Sequence, residues 1–114
     1  MLGTLYIVAT PIGNLQDMTF RAVEVLKNSD YVLAESSART SKLLSEYNIN
    51  KKIVTFNKDN EKRKRGSILQ DLSEGMSISL VSDAGTPSLS DPGFELVKEK
   101  GSSFKLYLFL EQVL

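Results

Sequence analysis

Two stretches of this sequence are rich enough in glycine, proline and small polar residues to serve chemistry, residues 10–17 and 82–93. Glycine lets backbone approach a ligand closely, and a helix start offers unpaired N–H groups to an anion or a polar edge. Each stretch directly follows an apolar run, so each leaves the end of an expected strand. Neither is a nucleotide fingerprint. Residues 10–15 lack the G-x-G-x-x-G spacing, and no G-x-x-x-x-G-K-[ST] occurs anywhere. What remains is a neutral-to-acidic loop pair suited to hydrogen-bonding a small polar molecule. Asp91, followed by Pro92, reads as a helix N-cap with proline at the first helical position. Asp83 reads equally well as a turn residue or a site residue.

The chain contains no Cys, His or Trp. This excludes a disulfide scaffold, a Cys/His zinc site and the usual general base, and no metal is expected. A proton acceptor must then be a carboxylate or a lysine, with Glu35, Asp17 and Asp83 as candidates. Glu35 ends an apolar run on the expected ligand rim and ranks first as a catalytic base. Its alternative is an ion pair with Arg39 or a helix-start carboxylate. Lys62, Arg63, Lys64 and Arg65 form a dense basic run in the first turns of an expected helix, where cations oppose the macrodipole. That placement suits an anionic partner such as RNA phosphate. The alternative is a solvated face with Asp59 and Glu61 as counterions. The spacing of Phe20, Tyr47 and Phe56 assigns them to the core rather than to base stacking.

These groups need elements to hold them. Apolar runs at 5–9, 31–34, 53–56, 78–81 and 106–110 are short and mostly apolar on both faces, as in strands covered on two sides. Between them, Met18, Ala22, Val25 and Leu26 share one helical face, as do Thr40, Leu43, Leu44 and Tyr47, and Arg65, Ile68, Leu69 and Leu72. A fourth, shorter helix is expected from Asp91. Residues 28–30, 48–52 and 74–75 read as short returns. The alternation implies an α/β fold, with a mostly parallel five-stranded sheet flanked by helices and right-handed crossovers. Both glycine- and proline-rich loops then leave the C-terminal ends of strands, where open α/β sheets bind ligands.

At 114 residues, the chain reads as a single domain over 1–114. Its 14 basic and 14 acidic side chains balance, which argues against a stand-alone nucleic-acid binder. No apolar run approaches the ~20 residues of a membrane span, and the first residues lack a signal peptide's basic flank. A soluble cytoplasmic protein is expected.

The pattern L-Y-I-V-A-T-P-I-G-N-L-x-D-M-T-x-R-A from Leu5 to Ala22, with V-S-D-A-G-T-P-x-x-S-D-P-G from Val81 to Gly93, resembles one family. It is similar to the bacterial ribose 2′-O-methyltransferases of small-subunit ribosomal RNA, within the tetrapyrrole (corrin/porphyrin) methylase superfamily. The resemblance runs from residue 4 to about 108. It implies the N-terminal α/β domain of a two-domain enzyme that binds S-adenosylmethionine between its domains. Carried over by position, Pro11 and Gly13 line the first cofactor loop. Ala84, Gly85 and Thr86 offer backbone contacts, with Asp83 beside them and Leu89 as a cover.

The sequence departs from that pattern in three places. Where the family reads A-E-D-T-R, this chain keeps Glu35 but has Ser36 for the Asp and Ala38 for the basic residue, with Arg39 one step later. Asn60 and Glu61 are kept, but the histidines that precede them in the family are absent. Beyond Leu110 the family continues into an L-P-G-P-S/T motif and a second domain. This chain reads Glu111-Gln112-Val113-Leu114 instead, so the C-terminal domain is expected to be absent and the 114 residues inactive alone. Two further readings stay open: a tetrapyrrole C-methylase domain, and a non-catalytic binding remnant. The A-T-P-I-G-N-L loop favours the RNA branch over the first. A homodimer would cover the sheet edge and any apolar surface left open.

Overall fold

The computed structural model describes residues 2–9, 18–82 and 104–109. The expected fourth helix from Asp91 lies outside them. The elements run β1 (Gly3–Ala9), α1 (Phe20–Asn28), β2 (Tyr31–Ala34), α2 (Ser37–Glu46), β3 (Ile53–Thr55), α3 (Glu61–Ser73), β4 (Ser77–Ser82) and β5 (Phe104–Phe109). The sheet has the order β3-β2-β4-β1-β5, and every neighbouring pair is parallel.

Side-chain alternation explains why helices cover both faces. Leu5, Ile7, Tyr31, Leu33, Ile78 and Leu80 point to one face and pack with Phe56, Ile68 and Leu72. Val8, Val32 and Val81 point to the other face and pack with Ala22, Leu26, Leu43 and Leu44. Thus α3 covers one face, while α1 and α2 cover the other. On the α1 face, Ser79 is fully buried among apolar groups. It is satisfied by the hydroxyl of Ser29, which itself donates to the carbonyl of Val25 at 2.8 Å. The cost of burying two hydroxyls is thereby avoided.

Local chemistry sets the element ends. Thr19 caps α1 by accepting from the amide of Ala22 at 3.1 Å. Met18 therefore precedes the helix rather than opening it. It remains buried and joins Val23 in the same cluster, the arrangement of a hydrophobic staple. The returns after α2 and α3 use left-handed residues, Asn48 at φ 56° and Gly75 at φ 101°.

The core assignment of Phe20 is overturned. Phe56 is buried and Tyr47 half-buried, but Phe20 is 86% exposed. Two residues of helix rotate a side chain by about 200°, so Phe20 stands opposite the buried stripe begun by Ala22.

Candidate functional site

The sheet order places the ends of the strands that lead into the two glycine- and proline-rich segments side by side. Strands β1 and β4 are neighbours, and their last paired residues are Ala9 and Ser82. The chain therefore enters both loops from adjacent points on the C-terminal rim, although α1, β2, α2, β3 and α3 intervene in sequence. The cofactor candidates Pro11, Gly13, Asp83, Ala84, Gly85, Thr86 and Leu89 lie outside the described residues, as do Asp17 and Asp91.

Glu35 stands on the same rim. It directly follows Ala34, which pairs with Val81 of β4, and its side chain is exposed. The helix that follows is capped by Ser36, whose hydroxyl accepts from the amide of Arg39 at 3.3 Å. Ser36 thus supplies the cap that an aspartate would supply at that position, so the departure costs α2 little. Because Ser36 performs this task, Glu35 is not the helix cap. Arg39 is exposed on the first turn of α2.

The next rim segment explains the Asn60-Glu61 pair. Asn60 turns its side chain back towards the loop: its Oδ1 accepts from the amide of Asn57 at 2.9 Å, and its Nδ2 donates to the carbonyl of Thr55 at 2.9 Å. It closes the turn between β3 and α3 instead of capping α3 with its side chain. Glu61 is buried and ion-paired with Arg65 one turn on, with Nε 2.7 Å from Oε1 and Nη2 donating to Oε2 at 3.2 Å. Oε1 has no hydrogen-bond partner, so the Coulombic contact alone holds it.

The basic run therefore divides into different environments. Arg65 neutralises Glu61. Lys64 is half-buried and donates from Nζ to the carbonyl of Thr55 at 3.1 Å. Lys62 and Arg63 are exposed.

A groove missed by the sequence reading lies between β3 and α3. Its volume is about 500 Å³, and its lining includes Tyr31, Lys52, Thr55, Lys64, Ser67 and Asp71. At its floor the hydroxyl of Tyr31 donates to Asp71 Oδ2 at 2.6 Å. Burial first, then this bond and the charges of Asp71 and Asp30, push the phenol well above its ordinary range and keep it neutral. The available signal was the spacing of Lys64, Ser67 and Asp71 on one face of a helix. Nothing local connects that face to Lys52 or Tyr31.

Among the described residues, no cluster of acidic residues could hold a metal, and no helix is long and apolar enough to cross a membrane.

Comparison with known proteins supplies the family. Residues 4–105 match the family described as Tetrapyrrole (Corrin/Porphyrin) Methylases. The chain is 52% identical over 95 residues to the ribosomal RNA small subunit methyltransferase I of Halalkalibacterium halodurans, covering 83% of this chain and 33% of that protein. It is 49% identical over 98 residues to the protein of the same name from Thermotoga maritima, covering 86% of this chain and 44% of that one. The chain thus spans a third to under half of these relatives. Among solved structures, uroporphyrin-III-C-methyltransferase from Thermus thermophilus superposes with a TM-score of 0.68 at 17% identity, covering 95% of this chain and 47% of that one. Diphthine synthase superposes with a TM-score of 0.70 at 13% identity, covering 95% and 44%. At such identities the likeness is one of fold. The match over residues 4–105 makes this chain a member of the tetrapyrrole (corrin/porphyrin) methylase family.

Proposed function

We propose that residues 1–114 form the cofactor-side α/β domain of an S-adenosylmethionine-dependent methyltransferase acting in the cytoplasm on a ribose 2′-hydroxyl of small-subunit ribosomal RNA. The observation that carries this is the 52% identity over 95 residues to a relative named for ribosomal RNA methylation. The fold likeness to a porphyrin methyltransferase, at 17% identity, favours no second reading. The activity is assigned to a protein of the relatives' full length. The 114 residues alone are expected to bind the cofactor weakly and to turn nothing over.

The donor set suits the cofactor. S-adenosylmethionine carries positive charge at its sulfonium and ammonium groups, and the two loops offer backbone amides and carboxylates with no lysine or arginine between residues 82 and 93. Adjacent launch points at Ala9 and Ser82 allow Pro11 and Gly13 to share a ligand with Asp83, Ala84, Gly85, Thr86 and Leu89. When bound, the cofactor supplies an electrophilic methyl group. The protein's part is positioning, together with acceptance of the ribose proton. Glu35 is the rim carboxylate assigned that proton. Arg39, Lys62, Arg63 and Lys64 are assigned to RNA phosphate, with Arg65 holding their helix turn through Glu61.

The test is methylation of small-subunit ribosomal RNA by the full-length protein with radiolabelled S-adenosylmethionine, with the product mapped by resistance to alkaline cleavage. Label at a 2′-oxygen is expected. Label on a base, or label on a tetrapyrrole acceptor but not on RNA, overturns the reading.

A further inference from the structure

We infer that the groove between β3 and α3 is an RNA-strand seat, taking two phosphates of the strand, one on Lys52 and one on Lys64. The inference deepens the RNA-methyltransferase reading and rests on it for the class of ligand.

Three observations carry it. First, the segment that supplies both lysines is strongly cationic. Residues 51–65 hold seven of the fourteen basic side chains and two of the fourteen acidic ones, leaving the rest of the chain net acidic. Overall neutrality conceals this polarity, and a local cationic surface attracts a polyanion regardless of net charge. Second, the groove has room: about 500 Å³ lies within the range of small-ligand sites. Third, its two ends are chemically distinct and held. Lys64 is fixed at one end by its bond to the carbonyl of Thr55, with two of its ammonium hydrogens still to place. At the other end, Tyr31 precedes Val32, whose amide bonds the carbonyl of Lys52 at 2.9 Å. There the exposed side chain of Lys52 shares the lining with Tyr31 and Asp71. Cations at both ends suit phosphate, while the hydroxyl of Ser67 and the carboxylate of Asp71 can bond ribose hydroxyls or a base edge. The exposed Lys62 and Arg63 extend the positive surface past the groove, which favours a strand over a free nucleotide. Strand β3 is also an edge of the sheet, so the groove opens sideways and a chain can pass through it.

The experiment measures binding of a fluorescein-labelled 12-nucleotide single-stranded RNA to the 114-residue chain as salt is raised. The double variant K52A/K64A is expected to lose tenfold or more in affinity, with the log–log salt slope flattened by about 1.4 at ~0.7 per lost phosphate contact. The variant S67E, which keeps both lysines and places a carboxylate in the groove, is expected to lose a similar amount. K27A/K42A, on the helices of the opposite face, is expected to bind as wild type. Thermal melts of each variant separate lost binding from lost folding. Unchanged affinity and slope in both K52A/K64A and S67E overturn the inference, as does an equal loss in K27A/K42A. Competition by adenosine monophosphate at concentrations matching the RNA overturns the strand reading. The two proposals fail separately. Full-length enzyme that methylates RNA with unaltered KM in the double variant removes the groove alone. A chain that binds RNA through the groove, in a full-length protein that methylates no RNA, removes the function alone.

Discussion

The hydroxyl of Tyr31, at the first position of β2, donates to the carboxylate of Asp71, near the end of α3, across 40 residues of sequence. The bond ties the helix to the strand next to the β3 edge of the sheet and holds the phenol neutral at a pH where solvent would let it ionise. In the unfolded chain Tyr31 loses its proton near pH 10, whereas in the folded chain it keeps it to higher pH. The folded state then binds more protons, so stability falls as pH rises past about 10 and is fully present below it. Y31F is expected to cost about 1 kcal/mol at neutral pH and to lose less stability than wild type between pH 10 and 11. Denaturant melts at matched pH check both. Parallel pH curves for the two proteins would count against the phenol.

Within the basic run, the structure separates a cation that supports the fold from cations that do not. R65A leaves the carboxylate of Glu61 buried without its counterion and is expected to destabilise by about 3 kcal/mol, the lower end for a broken buried pair. K62A/R63A removes two exposed charges and is expected to change stability by less than about 0.5 kcal/mol. Urea unfolding midpoints at constant slope decide between them.

Two glycines predict opposite outcomes for the same substitution. A Cβ at Gly3 would lie 2.1 Å from the carbonyl oxygen of Met76 and 2.7 Å from that of Leu72, both backbone atoms that cannot swing aside. G3A is expected to destabilise by about 3 kcal/mol, the upper end for overpacking. A Cβ at Gly66, in the interior of α3, meets nothing within 4 Å. G66A is expected to stabilise by about 1 kcal/mol, because alanine loses less backbone entropy on entering a helix. Melting temperatures of both variants would settle the pair.

For the proposed chemistry, E35Q removes the rim carboxylate while keeping its shape. In the full-length protein it is expected to lower kcat by about 10² or more, with little change in cofactor affinity. Single-turnover methylation alongside titration of S-adenosylmethionine separates the two quantities. A kcat within a factor of three of wild type would move the proton acceptor elsewhere.

Much of the fold was legible because its signals are local. The runs at 31–34 and 78–81 have strand length and are apolar but for Ser79, and they became β2 and β4. The stripes through Ala22 and Leu26, and through Ile68 and Leu72, became the buried faces of α1 and α3. Boundaries were less legible, because pairing extends strands beyond their apolar cores. Thus β1 begins at Gly3 rather than Leu5, where Thr4 finds a partner in Ser77. Phe20 was misread because residue type outweighed angle, and an aromatic two positions from Ala22 falls on the far side of the helix.

By itself, the sequence determined an α/β alternation, two segments rich in glycine and proline and a basic run, because hydrophobic periodicity, composition and charge are properties of neighbouring residues. Only the tertiary structure decided which strands lie together. Placing β4 between β2 and β1 brings Ala9 beside Ser82 and carries Glu35 to the same rim. The same packing brings Lys52, Tyr31 and Asp71 to the groove whose far end Lys64 closes. Strand order depends on backbone hydrogen bonds and core contacts between distant segments. A periodicity shows which face of an element is buried, but not what that face meets.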